Sequence, residues 1–347
     1  MNGNWRKLMT KKSKDLLQEL QDKYGDDILI REYPEGHPTV STGSLAIDVS
    51  TGIGGIPVGR YTEIYGPESG GKTTLSLTIA RNAIKNGLKV LYVDVENSVD
   101  LKYAKLLLSD CYGTGDFIIV QPTTAEDAFG IAEAGIDGGY RCVIFDSVAS
   151  IAPEEEMDKD YGKQSIGLSP RLTNQFLKKT KAKIRESESI FVITNQIRAN
   201  IGAYVGGYTT PAGYALKHYT SLRIYLSKSK TIEDGGVDIG NMINFVIKKN
   251  KMGIPYRQAE TNLIYGKGID YFRDVLNFGS LLGVIKSRGP YFSFEEKTLA
   301  QGIVKSIEHL IEYPEVLDKI VNTCYNTAGV KYPPIRAERK EVDERND

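Results

Sequence analysis

Between Arg60 and Gln196, short apolar runs alternate with longer stretches whose apolar positions recur every three or four residues. The runs are RYTEIYG, KVLYVDVE, FIIVQ, RCVIFDS and SIFVITNQ, all rich in β-branched or aromatic side chains. They predict short buried strands. The periodic stretches near 72–86, 99–108, 124–137 and 168–187 predict the helices between them. Strands alternating with helices in this way imply an α/β fold with a mostly parallel central sheet covered on both faces. Three further strand-like runs follow, TSLRIYLS, NFVIKKNK and ETNLIYG. From about Asp270 the character changes to short helices, FRDVLNFGSLLGVI and SIEHLIEYPEVLDKIVNTCY, read as a small C-terminal domain over 270–335. The last stretch, 336–347, is charged with mixed sign and is expected to be disordered. At the other end, Leu16, Leu17, Leu20 and Tyr24 share one side of a charged helix, and Gly25 and YPEGHP then break the chain. Residues 1–34 are therefore expected to form a docking segment outside a main core of 35–269.

Composition narrows the class. The 347 residues are 41% hydrophobic and 25% charged, which excludes a disordered chain. No apolar run approaches the roughly 18–20 residues of a membrane span, and MNGNWRKLMTKKSK lacks a signal-peptide core. A cytoplasmic location is the expectation. Cys111, Cys142 and Cys324 are far apart and join no histidine at metal-site spacing, so they are read as buried, reduced thiols. Lys+Arg equals Asp+Glu, so any nucleic-acid surface must be a local concentration of charge.

The sharpest signal is EIYGPESGGKTT. Gly66-x-x-x-x-Gly71-Lys72-Thr73 is the Walker A pattern, set between a predicted strand and a predicted helix. Gly66, Pro67, Glu68, Ser69, Gly70 and Gly71 make a loop whose backbone N–H groups can turn inward onto phosphate, at a helix N-terminus. Lys72 then reaches the β/γ-phosphates, Thr73 offers its hydroxyl to Mg²⁺, and Thr74 continues the helix. VIFD ends in Asp146, which suits a Walker B carboxylate behind the metal, although a strand-end aspartate also suits a helix cap. Glu96, at the carboxyl end of the strand after the P-loop helix, is either a solvated side chain or the general base for an attacking water. Gln196 ends another core strand, where its amide could touch the γ-phosphate and report its loss to the segment that follows.

That segment, 197–213, is glycine-rich and carries one charge, Arg198. A loop this long and this poor in charge is usually functional or disordered. Isolated apolar residues such as Ile201 suit wedging between bases of a single strand. In the preceding helix Arg171, Asn174, Lys178, Lys181 and Arg185 recur at helical spacing, with Lys179 and Lys183 adding charge. This face is either a solvated lysine surface or a holder of nucleic-acid backbone. The acidic PEEEMDKDYGKQ just before it cannot contact phosphates along its whole length.

From about Leu16 to Ile335 the chain resembles the bacterial RecA recombinase family. The resemblance is carried by STGSLAIDVSTGIGGIPVGR, EIYGPESGGKTT, NQIR, ALKHY, KNKMGIPYRQAE, NLIYGKGIDYF and GPYFSF. It implies a P-loop NTPase core, an N-terminal helix and strand that act as a polymerisation arm, and a small α+β C-terminal domain. It also implies a DNA-dependent ATPase using ATP and Mg²⁺, which forms a helical filament on single-stranded DNA and pairs it with a homologous duplex. By the same resemblance Glu96 is the catalytic glutamate, Asp100 and Tyr103 hold adenine, and Gln196 couples γ-phosphate to DNA. Lys249 and Lys251 reach a neighbouring subunit's triphosphate. Ile166 and Ile201 insert between base groups, Arg171, Asn174, Lys178 and Arg198 lie at the DNA backbone, and Gly213 is a further DNA-binding position. A self-cleaving repressor is a further partner that the family pattern admits. Two other readings of the same core are a hexameric helicase and a recombination mediator that hydrolyses little ATP. The chain departs from the family pattern at Gly70, Ala212, Tyr214 and His218 and in its mixed-charge tail, as a diverged phage or mobile-element copy would.

Overall fold

The computed structural model describes residues 18–23, 36–157, 167–199, 208–211 and 213–330. The chain divides into two compact units, 1–35 and 36–347. Of the first unit only the helical residues 18–23 are described; there Gln18 donates to Asp22 at 3.0 Å, and Leu20 is exposed. The rest of the expected arm, with Leu16, Leu17 and Tyr24, lies outside the described residues, as does the tail.

The second unit is built on nine strands: β1 Arg60–Gly66, β2 Val90–Asp94, β3 Phe117–Val120, β4 Cys142–Asp146, β5 Ile190–Gln196, β6 Leu222–Asp234, β7 Val237–Asn250, β8 Gln258–Ile264 and β9 Gly268–Ile269. Their order across the sheet is β9-β8-β7-β6-β1-β5-β4-β2-β3. Strands β6 to β3 in that order are mutually parallel, and β7, β8 and β9 extend the edge antiparallel. The central runs are buried at nearly every position because helices cover both faces. Side chains alternate between those faces. Ile64, Tyr92, Ile144 and Val192 join the P-loop helix Lys72–Lys85 in one core, whereas Leu91, Val93, Val143, Phe145, Phe191 and Ile193 join helices Ala125–Asp137 and Leu168–Glu186 in the other. Parity along each strand therefore decides which residues can meet the P-loop.

Helix starts follow local chemistry. Asp100 caps Leu101–Leu108 by accepting from Tyr103 N at 2.9 Å, and Thr124 caps Ala125–Asp137 by accepting from Asp127 N at 3.1 Å. The expected helices near 72–86, 99–108, 124–137 and 168–187 are all present. Three runs take a form that the pattern did not specify. Two strand-like runs are halves of one long hairpin, β6–β7, turned by Gly235 and Gly236 at positive φ. SIEHLIEYPEVLDKIVNTCY is two helices, Ile303–Glu312 and Pro314–Thr327, because Pro314 cannot continue the first and begins the second. A three-stranded antiparallel sheet, Lys286–Arg288, Tyr291–Phe294 and Lys297–Gln301, completes the C-terminal part. The three cysteines are buried thiols, as expected. No helix among the described residues is long and apolar enough to cross a membrane.

One buried carboxyl, Asp274, joins the core to helix Tyr271–Leu281, and a second, Asp48, holds the loop that precedes helix Leu45–Ser50. Asp274 Oδ2 accepts from Ser44 Oγ and Ala46 N, each at 3.0 Å, and Asp48 accepts from Thr42 N at 2.8 Å, Thr42 Oγ at 2.7 Å and Ser41 Oγ at 2.5 Å. Burial raises Asp48 to about 7 and Asp274 to about 6, against the pull of those donors. Between pH 4 and 7 the folded chain thus keeps a proton at Asp48 that the unfolded chain releases, so this group's contribution to stability is lost as pH rises through that window. Asp48→Asn removes the titration and keeps the shape. Its stability relative to wild type should rise between pH 5 and 8 by on the order of 1–3 kcal/mol, measured by urea unfolding. A pH-independent difference would refute the ionisation account.

Candidate nucleotide site and DNA-facing surface

Strand β1 runs into the loop Gly66–Gly71 and helix Lys72–Lys85. A side-chain carbon on Gly66 would lie 2.0 Å from the Leu226 carbonyl oxygen of β6, so the turn leaves space for hydrogen only. Ser69 and Gly71 adopt positive φ, 57° and 86°, which bends the backbone into a cradle. Lys72 Nζ donates to the Pro67 carbonyl at 2.8 Å and the Gly66 carbonyl at 3.3 Å, lying over the loop. Burial lowers its pKa, while Asp146, Glu96 and Glu68 pull the other way.

The acidic pair stands beside the cradle. Asp146, 2% exposed, accepts from Thr73 Oγ at 3.0 Å. Burial raises its pKa, opposed by hydroxyl donors from Thr194, Tyr92 and Thr73. Glu96 Oε1 accepts from Gln196 Nε2 at 3.0 Å, from Ser150 Oγ at 3.1 Å and from Ser147 Oγ. The tips of β2, β4 and β5 thus meet around one carboxylate, drawn together by the parallel register that sets Asp94 opposite Asp146. Asp94, which sequence reasoning passed over, accepts from Ser98 N, Val99 N and Gln121 Nε2 at 3.0–3.2 Å, and so shapes the loop carrying Glu96.

A cleft of about 460 Å³ opens beside the cradle, lined by Ser69 to Thr74, Tyr103, Asn241, Leu263 and Tyr265. Tyr103 OH and Thr74 Oγ share a hydrogen bond of 2.8 Å, which fixes the ring at the cleft wall. Asp100 is exposed and caps the helix that carries Tyr103. Asn241, Leu263 and Tyr265 were missed. They arrive from the antiparallel edge of the sheet, and Asn241 Oδ1 is buried with no hydrogen-bond partner among the described residues. Lys249 and Lys251 do not line this cleft. Lys249 Nζ donates to the Lys217 carbonyl at 2.5 Å and the His218 carbonyl at 3.2 Å, and Lys251 Nζ to the His218 carbonyl at 3.2 Å. Burial lowers the Lys249 pKa, and neighbouring Lys251 and Arg223 lower it further.

On the other face, Arg171, Asn174, Lys178, Lys181 and Arg185 are exposed on helix Leu168–Glu186. Lys179 and Lys183 are a correction to the expected basic surface: Lys179 pairs with Glu133 at 2.7 Å, and Lys183 with Glu133 at 2.8 Å and Asp137 at 2.7 Å, so both tie their helix to its neighbour. Arg198 is exposed two residues after Gln196, and the pairs Arg198–Thr209 and Ala199–Tyr208 close the base of the loop. Beneath that base Asn195 Nδ2 donates to Glu63 at 2.9 Å and to the Pro211 carbonyl at 3.2 Å, and Glu63 also pairs with Arg223. Gly213 opens helix Gly213–Tyr219 at φ 68°, and a side-chain carbon there would lie 3.5 Å from Pro170. Ile166 and Ile201 lie outside the described residues.

A glycine cradle at a helix N-terminus, a lysine over it and a hydroxyl–carboxylate pair behind it define a P-loop nucleotide-binding protein. Residues 11–270 match the RecA N-terminal domain and residues 273–329 the RecA C-terminal domain. The chain is 39% identical to Protein RecA of Thermus aquaticus over 326 residues, which is 92% of this chain and 94% of that one. It is 37% identical to Protein RecA of Aquifex pyrophilus over 297 residues, 85% and 84% of the two chains. The crystal structure of the RadB recombinase shares the fold, with a TM-score of 0.51 at 20% identity over 67% of this chain and 98% of that one. The chain belongs to the RecA family. It is a recombinase of DNA recombination and repair, and filament formation is typical of its family.

Proposed function

We propose that the chain is a DNA-dependent ATPase whose nucleotide state controls its grip on single-stranded DNA and the pairing of that strand with a homologous duplex. The observation that carries this reading is the 3.0 Å hydrogen bond from Gln196 to Glu96. One residue that ends a core strand touches the candidate general base, and the chain beyond it enters the glycine-rich loop. The triphosphate fits the cradle of Gly66, Pro67, Glu68, Ser69, Gly70 and Gly71, with Lys72 at its β/γ end and adenine in the cleft beside Asp100 and Tyr103. Mg²⁺, held by Thr73 with Asp146 behind it, would neutralise phosphate charge. Glu96 takes the proton of the attacking water. Gln196 exchanges its bond to Glu96 for one to the γ-phosphate, which shifts the loop that follows.

Lys249 and Lys251, bonded to helix-end carbonyls and outside their own cleft, serve a neighbouring subunit's triphosphate in a filament. Arg171, Asn174, Lys178, Arg198 and Gly213 follow the DNA backbone, and Ile166 and Ile201 space the bases. Contacts of these kinds read no base edges, so homology is tested by base pairing alone.

A salt titration of single-strand affinity beside a strand-exchange assay tests the DNA half. Arg171→Ala and Lys178→Ala should each weaken binding and reduce the logarithmic salt slope by roughly 0.7. Ile201→Gly should leave the slope alone and reduce strand exchange. An unchanged slope in both basic variants, or normal exchange by Ile201→Gly, refutes this assignment and leaves the ATPase reading standing. Electron micrographs with a slowly hydrolysed ATP analogue separate a filament from the ring of a helicase.

A further inference from the structure

The carboxylate of Asp146 is held from three sides. Its Oδ2 accepts from Thr73 Oγ at 3.0 Å and from Tyr92 OH at 2.5 Å, and its Oδ1 accepts from Thr194 Oγ at 2.5 Å. Tyr92 and Thr194 are both 0% exposed. They come from the strands on either side of Asp146. Strand β2 pairs Tyr92 with Ile144, and β5 pairs Ile193 with Phe145, so that Thr194 follows level with Asp146. By strand alternation all three side chains project to the face covered by the P-loop helix.

Packing does not call for these hydroxyls. Phenylalanine and valine would fill the same space, and burying a hydroxyl costs free energy unless it makes a good hydrogen bond. Here each hydroxyl has its bond, and both bonds end on the same carboxylate. Rotating that carboxylate would break both of them in a site too buried for water to replace them. Because Oδ2 is held in place, the Thr73 hydroxyl has a fixed acceptor for its proton. Its oxygen is then available on the cradle side.

We propose that Tyr92 and Thr194 are positioning residues for divalent-cation binding: they lock the Asp146 carboxylate as acceptor of the Thr73 proton, so that the Thr73 oxygen faces the metal. The inference rests on the nucleotide reading given above. It adds a second layer, made of two hydroxyls, that sets how strongly the cation strengthens nucleotide binding.

The test measures the affinity of the full-length protein for a fluorescent ADP analogue, once with Mg²⁺ and once with EDTA. The quantity read is the ratio of the two affinities, which needs no turnover. Changes to groups that orient metal ligands typically cost 10–100-fold in metal affinity, so Tyr92→Phe and Thr194→Val should each cut the Mg²⁺ advantage by about tenfold, and the double variant by about a hundredfold. Affinity in EDTA should stay at the wild-type value. Thr194→Ser keeps the hydroxyl and should restore the advantage, which a purely steric role would not predict. Should Tyr92→Phe fail to fold, the Thr194→Val and Thr194→Ser pair decides alone. An unchanged ratio in Thr194→Val, or an equal loss with and without Mg²⁺, overturns the proposal. A wild-type protein that binds the analogue without any Mg²⁺ advantage overturns it as well, and one that binds no analogue in either buffer refutes the nucleotide reading itself.

Discussion

Replacing Glu96 by Gln is expected to slow ATP hydrolysis by about 10²–10⁴-fold while nucleotide and DNA binding persist, the loss typical of removing a general base. The size follows from how the side chain is held. Ser147, Ser150 and Gln196 all donate to Oε1, and the oxygen of a glutamine can accept the same three bonds. The substitution therefore keeps shape and hydrogen bonding, and removes the capacity to take a proton from water. Lys72→Ala should behave differently. It removes a cation that lies over the loop carbonyls, so it should weaken ATP binding as well as turnover. Measuring affinity and single-turnover hydrolysis side by side distinguishes the two. Wild-type hydrolysis by Glu96→Gln would mean that another group accepts the proton.

Gly66→Ala should weaken nucleotide binding and lower stability, whereas Gly70→Ser should do neither. At Gly66 the added carbon would sit 2.0 Å from the Leu226 carbonyl oxygen and 3.0 Å from its carbon, both backbone atoms of the adjacent strand. Relief requires β1 and β6 to separate at the point where the cradle begins. Overpacking of this kind costs about 1–3 kcal/mol, and a similar cost borne by the cradle would weaken binding by about 5- to 150-fold. At Gly70 the nearest atoms are 3.1 and 3.4 Å away and φ lies outside the left-handed region, so a side chain fits with a small adjustment. Isothermal titration with ATP and a urea unfolding curve for each variant test the contrast. If Gly66→Ala bound ATP like the wild type, close strand contact would not be what shapes the loop.

Much of the site was legible in the chain because its chemistry is local. A phosphate cradle needs glycines, a lysine and a hydroxyl within eight consecutive residues, and those residues carry their meaning wherever the strand and helix form. Asp146 and Glu96 were legible as acids at strand ends, because open α/β sheets place ligands there. Tyr92 and Thr194 carried a fainter signal. Both are hydroxyl residues inside apolar runs, and each stands an even number of positions from a strand tip that faces the P-loop. Their meaning depended on strand order, which no local pattern states.

The sequence by itself determined the strands and helices of the core, the phosphate loop and the family, since each follows from short-range periodicity or from residues close together along the chain. Tertiary structure alone decided which distant residues share a site. Gln196 meets Glu96 across 100 positions because β2, β4 and β5 end side by side. Asn241, Leu263 and Tyr265 enter the nucleotide cleft because the β6–β7 hairpin and β8 extend the sheet on the P-loop side. Lys179 and Lys183 leave the basic face because Glu133 and Asp137 lie beneath them on a neighbouring helix. In each case the partner is chosen by strand order and helix packing, and these follow from burying two continuous apolar faces of one sheet.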